Sequence, residues 1–453
     1  MIDALRMNLD FWNIWQQQSV NRRIFAALMT VGGFTLVVNL AATVKELAVA
    51  RQFGTGDAMD ALLIAFLLPS YAVNVLAGSC STALVPTFVQ VRENEGQEKA
   101  QQLLSGVIIW NTAMLAAISV LLALTAPFTL PILGSGFSIT KLTLTRSLFF
   151  FFLPIIFISG LKMTWAAILN ACDRFALVAL SPIMIPLATI AMLLLVGRTW
   201  GIYALAVGTL SGYVIEAGLL GWGLRRKGFC IMPHWHGLDL ALRKVINQYI
   251  PVVAGALLMC GTMLVDQSMA ATLGAGSVAT LNYGSKVVTL ILGIGAVSLS
   301  TAVFPHFSRM VAGYDWTGVR HTLKTYTYFI LLVTIPLTLI LVLFSDPLVR
   351  LLFERGAFTS MDTWRVSQVQ ALFLLQLPFY FLGILMVRLI SSLNMNAILL
   401  QAAIVNLLCK IVFNYLLMQR LGAAGIALST TLVYVVSLIY CSIMLHKKIR
   451  TLE

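Results

Sequence analysis

The octapeptide STALVPTF at positions 81–88 returns as STAVFPHF at positions 300–307, and this echo decides how the chain is organised. Upstream, the turn Gly54-Thr55-Gly56 returns as Gly274-Ala275-Gly276. Downstream, Leu169-Asn170 and Gly201-Ile202 return as Leu393-Asn394 and Gly425-Ile426. Four landmarks recur in one order at offsets of 219 to 224 residues, which reads as an internal duplication.

Around these landmarks the sequence is a series of long apolar runs, near 24–52, 58–90, 102–132, 147–171, 176–197, 201–224, 245–273, 278–308, 324–345, 365–393, 397–418 and 422–445. Each is long enough, at 1.5 Å per residue, to cross about 30 Å of hydrocarbon. Of the 453 residues 59% are hydrophobic and 10% charged, where a soluble chain carries about 25% charged residues. The expected fold is therefore an all-α polytopic membrane protein of about twelve transmembrane helices in two pseudo-symmetric six-helix bundles. The boundaries are a segment 1–23, a first bundle 24–226, a basic linker 227–244, a second bundle 245–445 and a tail 446–453. Six crossings per half is even, so both halves enter from the same side and are related by an axis along the membrane normal. A cleft between two such halves is a natural transport path.

The net charge of +13 is a topology signal, because the basic residues alternate with the apolar runs instead of forming one polar segment. Seventeen Lys and Arg, among them Arg225, Arg226, Lys227, Arg243 and Lys244, fall on the side of the termini. Seven fall on the other: Arg51, Lys141, Arg146, Arg198, Arg350, Arg355 and Arg420. Basic segments translocate poorly, so both termini are expected in the cytoplasm and the chain in a bacterial cytoplasmic membrane. Nucleic acid is not an expected partner. The six cysteines form no CxxC pair and read as buried thiols. His234-Trp235-His236 in the linker has no third ligand type beside it and reads as an interfacial loop, so no metal site is expected. No Walker motif is present, so ATP is not the direct energy source. No cofactor and no catalytic residue are expected, leaving a coupling ion or the membrane potential as the driving force.

Charged residues inside apolar runs need a partner, a wet cavity or a job. Glu46 and Asp266 lie 220 residues apart, each eight residues before its glycine turn. They are expected to face each other across the cleft, the alternative being that each pairs locally with a lysine or a helix end. Lys45 and Glu46 are adjacent and do not share a helix face, so they do not make an automatic ion pair. Lys45 and Lys286 are the leading candidates for an anionic headgroup, since an ammonium is a compact point charge suited to phosphate. Lys162 and Lys410 extend that candidate set. Glu216 and Arg388 are read as interfacial.

The stretches AVARQFGTGDAMDALLIAFLLP (48–69), ILNACDRF (168–175) and LLFERGAFTSMD (351–362), with most of 265–309, make the chain similar to the MurJ/MviN family of lipid II flippases. That family sits in a superfamily with polysaccharide flippases and MATE-type exporters. The resemblance covers nearly the whole chain and implies a V-shaped transporter whose basic cavity binds a diphosphate sugar headgroup while the polyprenyl tail stays in lipid. It assigns Lys45 and Glu46 to the family's Arg-Asp pair, Arg51 to a further arginine, Asp60 to the acid opening the second helix, and Tyr283-Gly284-Ser285-Lys286 to a Tyr-Ala-Asp-Arg motif. Glu46, Asp60 and Asp266 are then the acidic or coupling residues. Asn39 stands where an arginine is expected. The segment Pro69 to Asn74, followed by Ala77-Gly78-Ser79, is one residue shorter than the family's Pro-Asn-Leu-Leu-Arg-Arg and Ala-Glu-Gly, and its arginine is gone. Asn39, Asn74 and Ser285 thus join the cavity set. Lysine lacks the bidentate fork of arginine, so these exchanges alter a phosphate site. The chain also has about twelve crossings where lipid II flippases of this family have two more.

The expected function is a flippase carrying an undecaprenyl-diphosphate-linked saccharide to the outer leaflet by alternating access. An exopolysaccharide or other envelope-glycan lipid is favoured slightly over lipid II. A potential of 100 mV, negative inside, favours outward passage of two negative charges by roughly 4 to 5 kcal/mol. The alternatives are a cation-coupled exporter of small cationic compounds, using Glu46, Asp60 and Asp266, and a non-transporting scaffold for envelope glycan synthesis. Membrane lipids and an envelope glycosyltransferase or polymerase are the expected partners of a monomer.

Overall fold

The computed structural model describes residues 20–235, 237 and 239–449. Arg6, His236 and Arg450 lie outside them, as do most of the segment 1–23 and part of the tail 446–453. The described chain is helical, and twelve of its helices are long and apolar enough to cross a membrane. We name them α1 (Val20–Phe53), α2 (Asp57–Glu95), α3 (Gln97–Leu133), α4 (Ile139–Ala171), α5 (Phe175–Trp200), α6 (Ile202–Arg225), α7 (Leu240–Ala271), α8 (Ser277–Ala312), α9 (Trp316–Leu343), α11 (Ser360–Ser392), α12 (Asn396–Leu421) and α13 (Ala423–Ile449). A short α10 (Ser345–Phe353) precedes α11. The twelve spans match the apolar runs, because a backbone in hydrocarbon must satisfy its own hydrogen bonds and a helix does so locally.

Helix imperfections have local causes. Pro69 lies inside α2, and within one turn the helix widens into a π segment, Val73–Ala77, where the Val73 N–H donates to the Pro69 and Ser70 carbonyls. This is the stretch in which the sequence departs from the family pattern. In α11 the helix is interrupted between Leu374 and Leu377, next to Pro378, which has no N–H to give. The aqueous turn before α9 is capped by Asp315, whose Oδ1 accepts the Gly318 N–H at 2.8 Å and the Thr317 hydroxyl at 2.9 Å. These donors hold the Asp315 carboxyl below the usual carboxylate range.

The backbone shows the duplication and corrects its register. Asp173, between α4 and α5, and Asn394, between α11 and α12, are left-handed at φ 59° and 57°. Both turns close alike, Arg174 N–H donating to Leu169 and Met395 N–H to Ile390. Gly201 and Gly422, entering α6 and α13, share φ/ψ of 53°/−128° and 59°/−136°, a conformation that needs glycine. The repeat offset here is 221, so Gly201 corresponds to Gly422 and not to Gly425. Identical letters misled because Gly425 lies inside α13, whereas backbone conformation marks the true turn.

The chain packs as two compact units that cut across the sequence halves. Of the described residues, unit 1 comprises those within 20–46, 76–119 and 154–249, and unit 2 those within 47–75, 120–153 and 250–449. In unit 1, Phe88, Leu103, Leu104, Ile168, Leu224 and Leu242 are among the side chains buried at its core. In unit 2 a continuous apolar cluster runs from Ile64 and Leu67 of α2 through Val303 and Phe307 of α8 to Leu385, Leu389 and Ile426. Unit 2 thereby includes the ends of α1 to α4 that adjoin the Gly54 turn.

Candidate functional site

A densely hydrogen-bonded polar cluster surrounds Asp60 in unit 2. Asp60 is fully buried one turn into α2, and its Oδ2 accepts the Gly276 N–H at 2.7 Å while Oδ1 accepts the Ala279 N–H at 2.8 Å. It therefore caps α8 from 216 to 219 residues away in sequence, satisfying donors that the first turn of a helix leaves open. Lys141 of α4 bridges Asp60 at 2.8 Å and Asp57 at 2.6 Å, with the Phe137 ring 3.9 Å from its Nζ. Gly276 has φ 79°, and a Cβ there would strike the Thr55 carbonyl, so the two repeated glycine turns meet backbone to backbone.

The LLFERGAFTSMD stretch supports the same turn. Phe353 and Phe358 stack at 5.7 Å, and both lie against Tyr283 of α8. The Ala357 N–H donates to the Arg51 carbonyl at 2.8 Å. Thr55 donates through its hydroxyl to Asp362, which also forms a capping box with Thr359 at the start of α11.

A second cluster lies mid-span in unit 2. Lys410 of α12 is buried, with Nζ 3.0 Å from Asp266 Oδ1 of α7, and it donates to the Ser429 and Thr430 hydroxyls of α13. Asn414, one turn beyond Lys410, donates to Asp266 Oδ1 at 2.7 Å and accepts from Ser429. A cavity of about 200 Å³ adjoins the pair, lined by Thr262, Asn406, Thr430 and Tyr434 among others.

In unit 1, Lys162 of α4 pairs with Glu216 of α6 at 2.6 Å and lies 4.4 Å from the Tyr213 ring. Glu216 is buried, which overturns its reading as an interfacial residue: Lys162 supplies the countercharge that water was expected to supply. Lys45 and Glu46 also pair, at 2.7 Å, although neighbours in sequence do not share a helix face. Long side chains can curl toward each other across the 100° between neighbours.

Several expectations divide between the units. Glu46 belongs to unit 1 and Asp266 to unit 2, and each has a lysine of its own, so local pairing is what the structure shows for both. Lys45 lies in unit 1, Arg51 and Lys286 in unit 2. Arg51 is exposed, Lys286 and Ser285 are half-buried on α8, and Arg388 is half-buried with its guanidinium 5.9 Å from the Phe304 ring. Asn39 is half-buried in α1, and Asn74 is exposed from the π segment of α2. Lys162 and Lys410 have carboxylate partners instead of extending an open basic surface. Sequence reading missed Lys141 as a site residue because it counted only as a loop charge. It also missed Asn414, Ser429 and Thr430, whose one signal is that Lys410 and Asn414 share a helix face at i, i+4. Among the described residues no group of three or more His, Cys, Asp or Glu gathers as a metal site.

The family described as "Lipid II flippase MurJ" matches residues 49–453. A probable lipid II flippase of Rhizobium meliloti is 28% identical over 365 residues, 78% of this chain and 68% of that one. A lipid II flippase of Burkholderia cenocepacia is 25% identical over 424 residues, 90% and 80% of the two chains. Among solved structures, a lipid II flippase in an inward closed conformation superposes with a TM-score of 0.80 at 23% identity, covering 92% of this chain and 87% of that one. An inward-facing multidrug transporter of the MATE family gives 0.74 at 15% identity, covering 92% and 98%. The structural likenesses speak to the fold.

Proposed function

The chain belongs to the lipid II flippase MurJ family, and from that premise we propose that it is a transporter, not an enzyme, which carries a polyprenyl-diphosphate-linked saccharide to the outer leaflet of a bacterial cytoplasmic membrane. The family match over 49–453 is the observation that carries this reading. The excess of basic residues on the side of the termini supports both termini being cytoplasmic. Alternating access, with the membrane potential favouring outward passage of the anionic headgroup, is the mechanism we attach to it. The Gly54, Gly274 and Gly422 turns then lie at the outer face.

Lipid II is the substrate that the names of the relatives give. One feature of this chain favours a different glycan: Asn39 and Asn74 stand where the family pattern has arginine, and neither carries a charge for a phosphate. Lys45 in unit 1, and Arg51 and Lys286 in unit 2, remain as the basic groups for the diphosphate, each testable alone. The decisive experiment is rescue of a strain depleted of its lipid II flippase, together with mass spectrometry of the lipid that copurifies with the chain. Rescue with copurifying lipid II establishes lipid II as the cargo. Failure to rescue, with another diphosphate-linked glycan bound, establishes the envelope-glycan reading. Absence of any polyprenyl lipid and of rescue sinks the flippase assignment.

A further inference from the structure

A groove of about 920 Å³ opens in unit 2 between the α7–α8 turn, the start of α11 and the α12–α13 turn. Its charged lining consists of Arg365 and Arg420, with no carboxylate among the lining residues. Both guanidiniums are exposed, and among the described residues neither is in an ion pair. This is unlike Arg350 at the same end of unit 2, which has Asp346 at 3.3 Å and Glu354 at 3.5 Å. Arg420 stands in the last turn of α12, whose dipole offsets part of its charge, while the first turn of α13 beside it contains no acidic residue. Val369, Leu372 and Leu421 give the groove an apolar floor, and Trp364 stands half exposed on its lining, as tryptophans do at membrane interfaces.

We propose that this groove is a docking site for the phosphate headgroup of a membrane lipid, held by Arg365 and Arg420, with the lipid's apolar part against the Leu372 and Leu421 floor. Two guanidiniums that form no ion pair among the described residues, set over an apolar surface, match an anionic amphiphile, and arginine is the side chain whose fork fits phosphate oxygens. The leaflet concerned is the outer one, a point that rests on the flippase reading and its topology. The occupant is an ordinary anionic phospholipid of that leaflet, and capture of the translocated polyprenyl diphosphate is the competing outcome of the test.

The test is native mass spectrometry of the purified full chain titrated separately with undecaprenyl diphosphate, phosphatidylglycerol and, as a phosphate-free control, diacylglycerol. The double variant Arg365→Gln/Arg420→Gln is expected to weaken binding of phosphatidylglycerol by about tenfold or more, the size of losing charge-assisted hydrogen bonds. Arg365→Lys/Arg420→Lys should retain part of it, and Arg350→Gln should leave it unchanged. Loss of phosphatidylglycerol binding supports the proposal, whereas selective loss of undecaprenyl diphosphate overturns it in favour of a cargo site. Unchanged binding of both lipids in the double glutamine variant, or equal loss from Arg350→Gln, overturns the proposal. Rescue of the depleted strain by the unaltered chain reports on transport separately, so the two readings fail independently.

Discussion

Two lysine–carboxylate pairs in unit 2, Lys141–Asp60 and Lys410–Asp266, have Nζ–O distances of 2.8 and 3.0 Å and the same chemistry, yet their surroundings differ in kind. Asp60 has two main-chain N–H donors besides its lysine, and Lys141 has a second carboxylate in Asp57. Asp266 has one further donor, the side-chain amide of Asn414, and Lys410 is completed by the hydroxyls of Ser429 and Thr430. Backbone donors are fixed by the helix they begin, so the Asp60 site pins a turn. Side-chain donors can rotate, so the Asp266 site depends on all its members being present together. A buried charge is cheap only while its hydrogen bonds are complete.

The largest effect should follow from breaking the less redundant site. Lys410→Met leaves Asp266 with a single amide donor and is expected to destabilise the protein by about 3–5 kcal/mol. Adding Asp266→Leu should recover most of that, because an apolar pair replaces a buried ionic one. Thermal unfolding of the single and double variants in detergent measures the coupling. A double variant no more stable than Lys410→Met would refute the pairing.

Asp60→Ala should come next, costing about 2–4 kcal/mol through the open α8 donors and the weakened hold on Lys141. Hydrogen exchange should quicken at the amides of 276–280. Lys141→Met should cost less, about 1–2 kcal/mol, since Asp60 keeps both N–H donors. If Lys141→Met proves as damaging as Lys410→Met, the distinction between backbone and side-chain support fails.

The smallest effect sharpens the same contrast in water. Asp315 caps α9 as Asp60 caps α8, but at the surface. Its carboxyl is held low in the folded state, so its stabilisation is complete above the ordinary carboxylate pKa and fades as pH falls through the lowered value. Asp315→Asn should therefore slightly flatten the decline of melting temperature on acidification while leaving the neutral melting temperature nearly unchanged. A full-sized acid decline in the variant would show that Asp315 contributes nothing measurable.

The spans were readable because hydropathy is local: a run such as 201–224 can be recognised without knowing its neighbours. The duplication was readable for the same reason, although letters alone matched Gly201 to Gly425 and the backbone matches it to Gly422. The charges inside the spans were readable as costly and therefore partnered. Their partners were not. Lys162 and Glu216 are 54 residues apart, Lys141 and Asp60 are 81, and Asn414 and Asp266 are 148. No periodicity links such positions.

The amino-acid sequence by itself determined a twelve-span helical membrane chain with a repeated half, since each span is dictated by burying its own backbone in lipid. Membership of the family was likewise carried by its linear motifs. Only the tertiary structure decided which lysine neutralises which carboxylate, that Asp60 caps a helix from the other half of the sequence, and that Arg365 and Arg420 share an acid-free groove. Those outcomes depend on which helices lie side by side, and an ion pair is set by distances of about 3 Å that the order of residues along the chain does not encode.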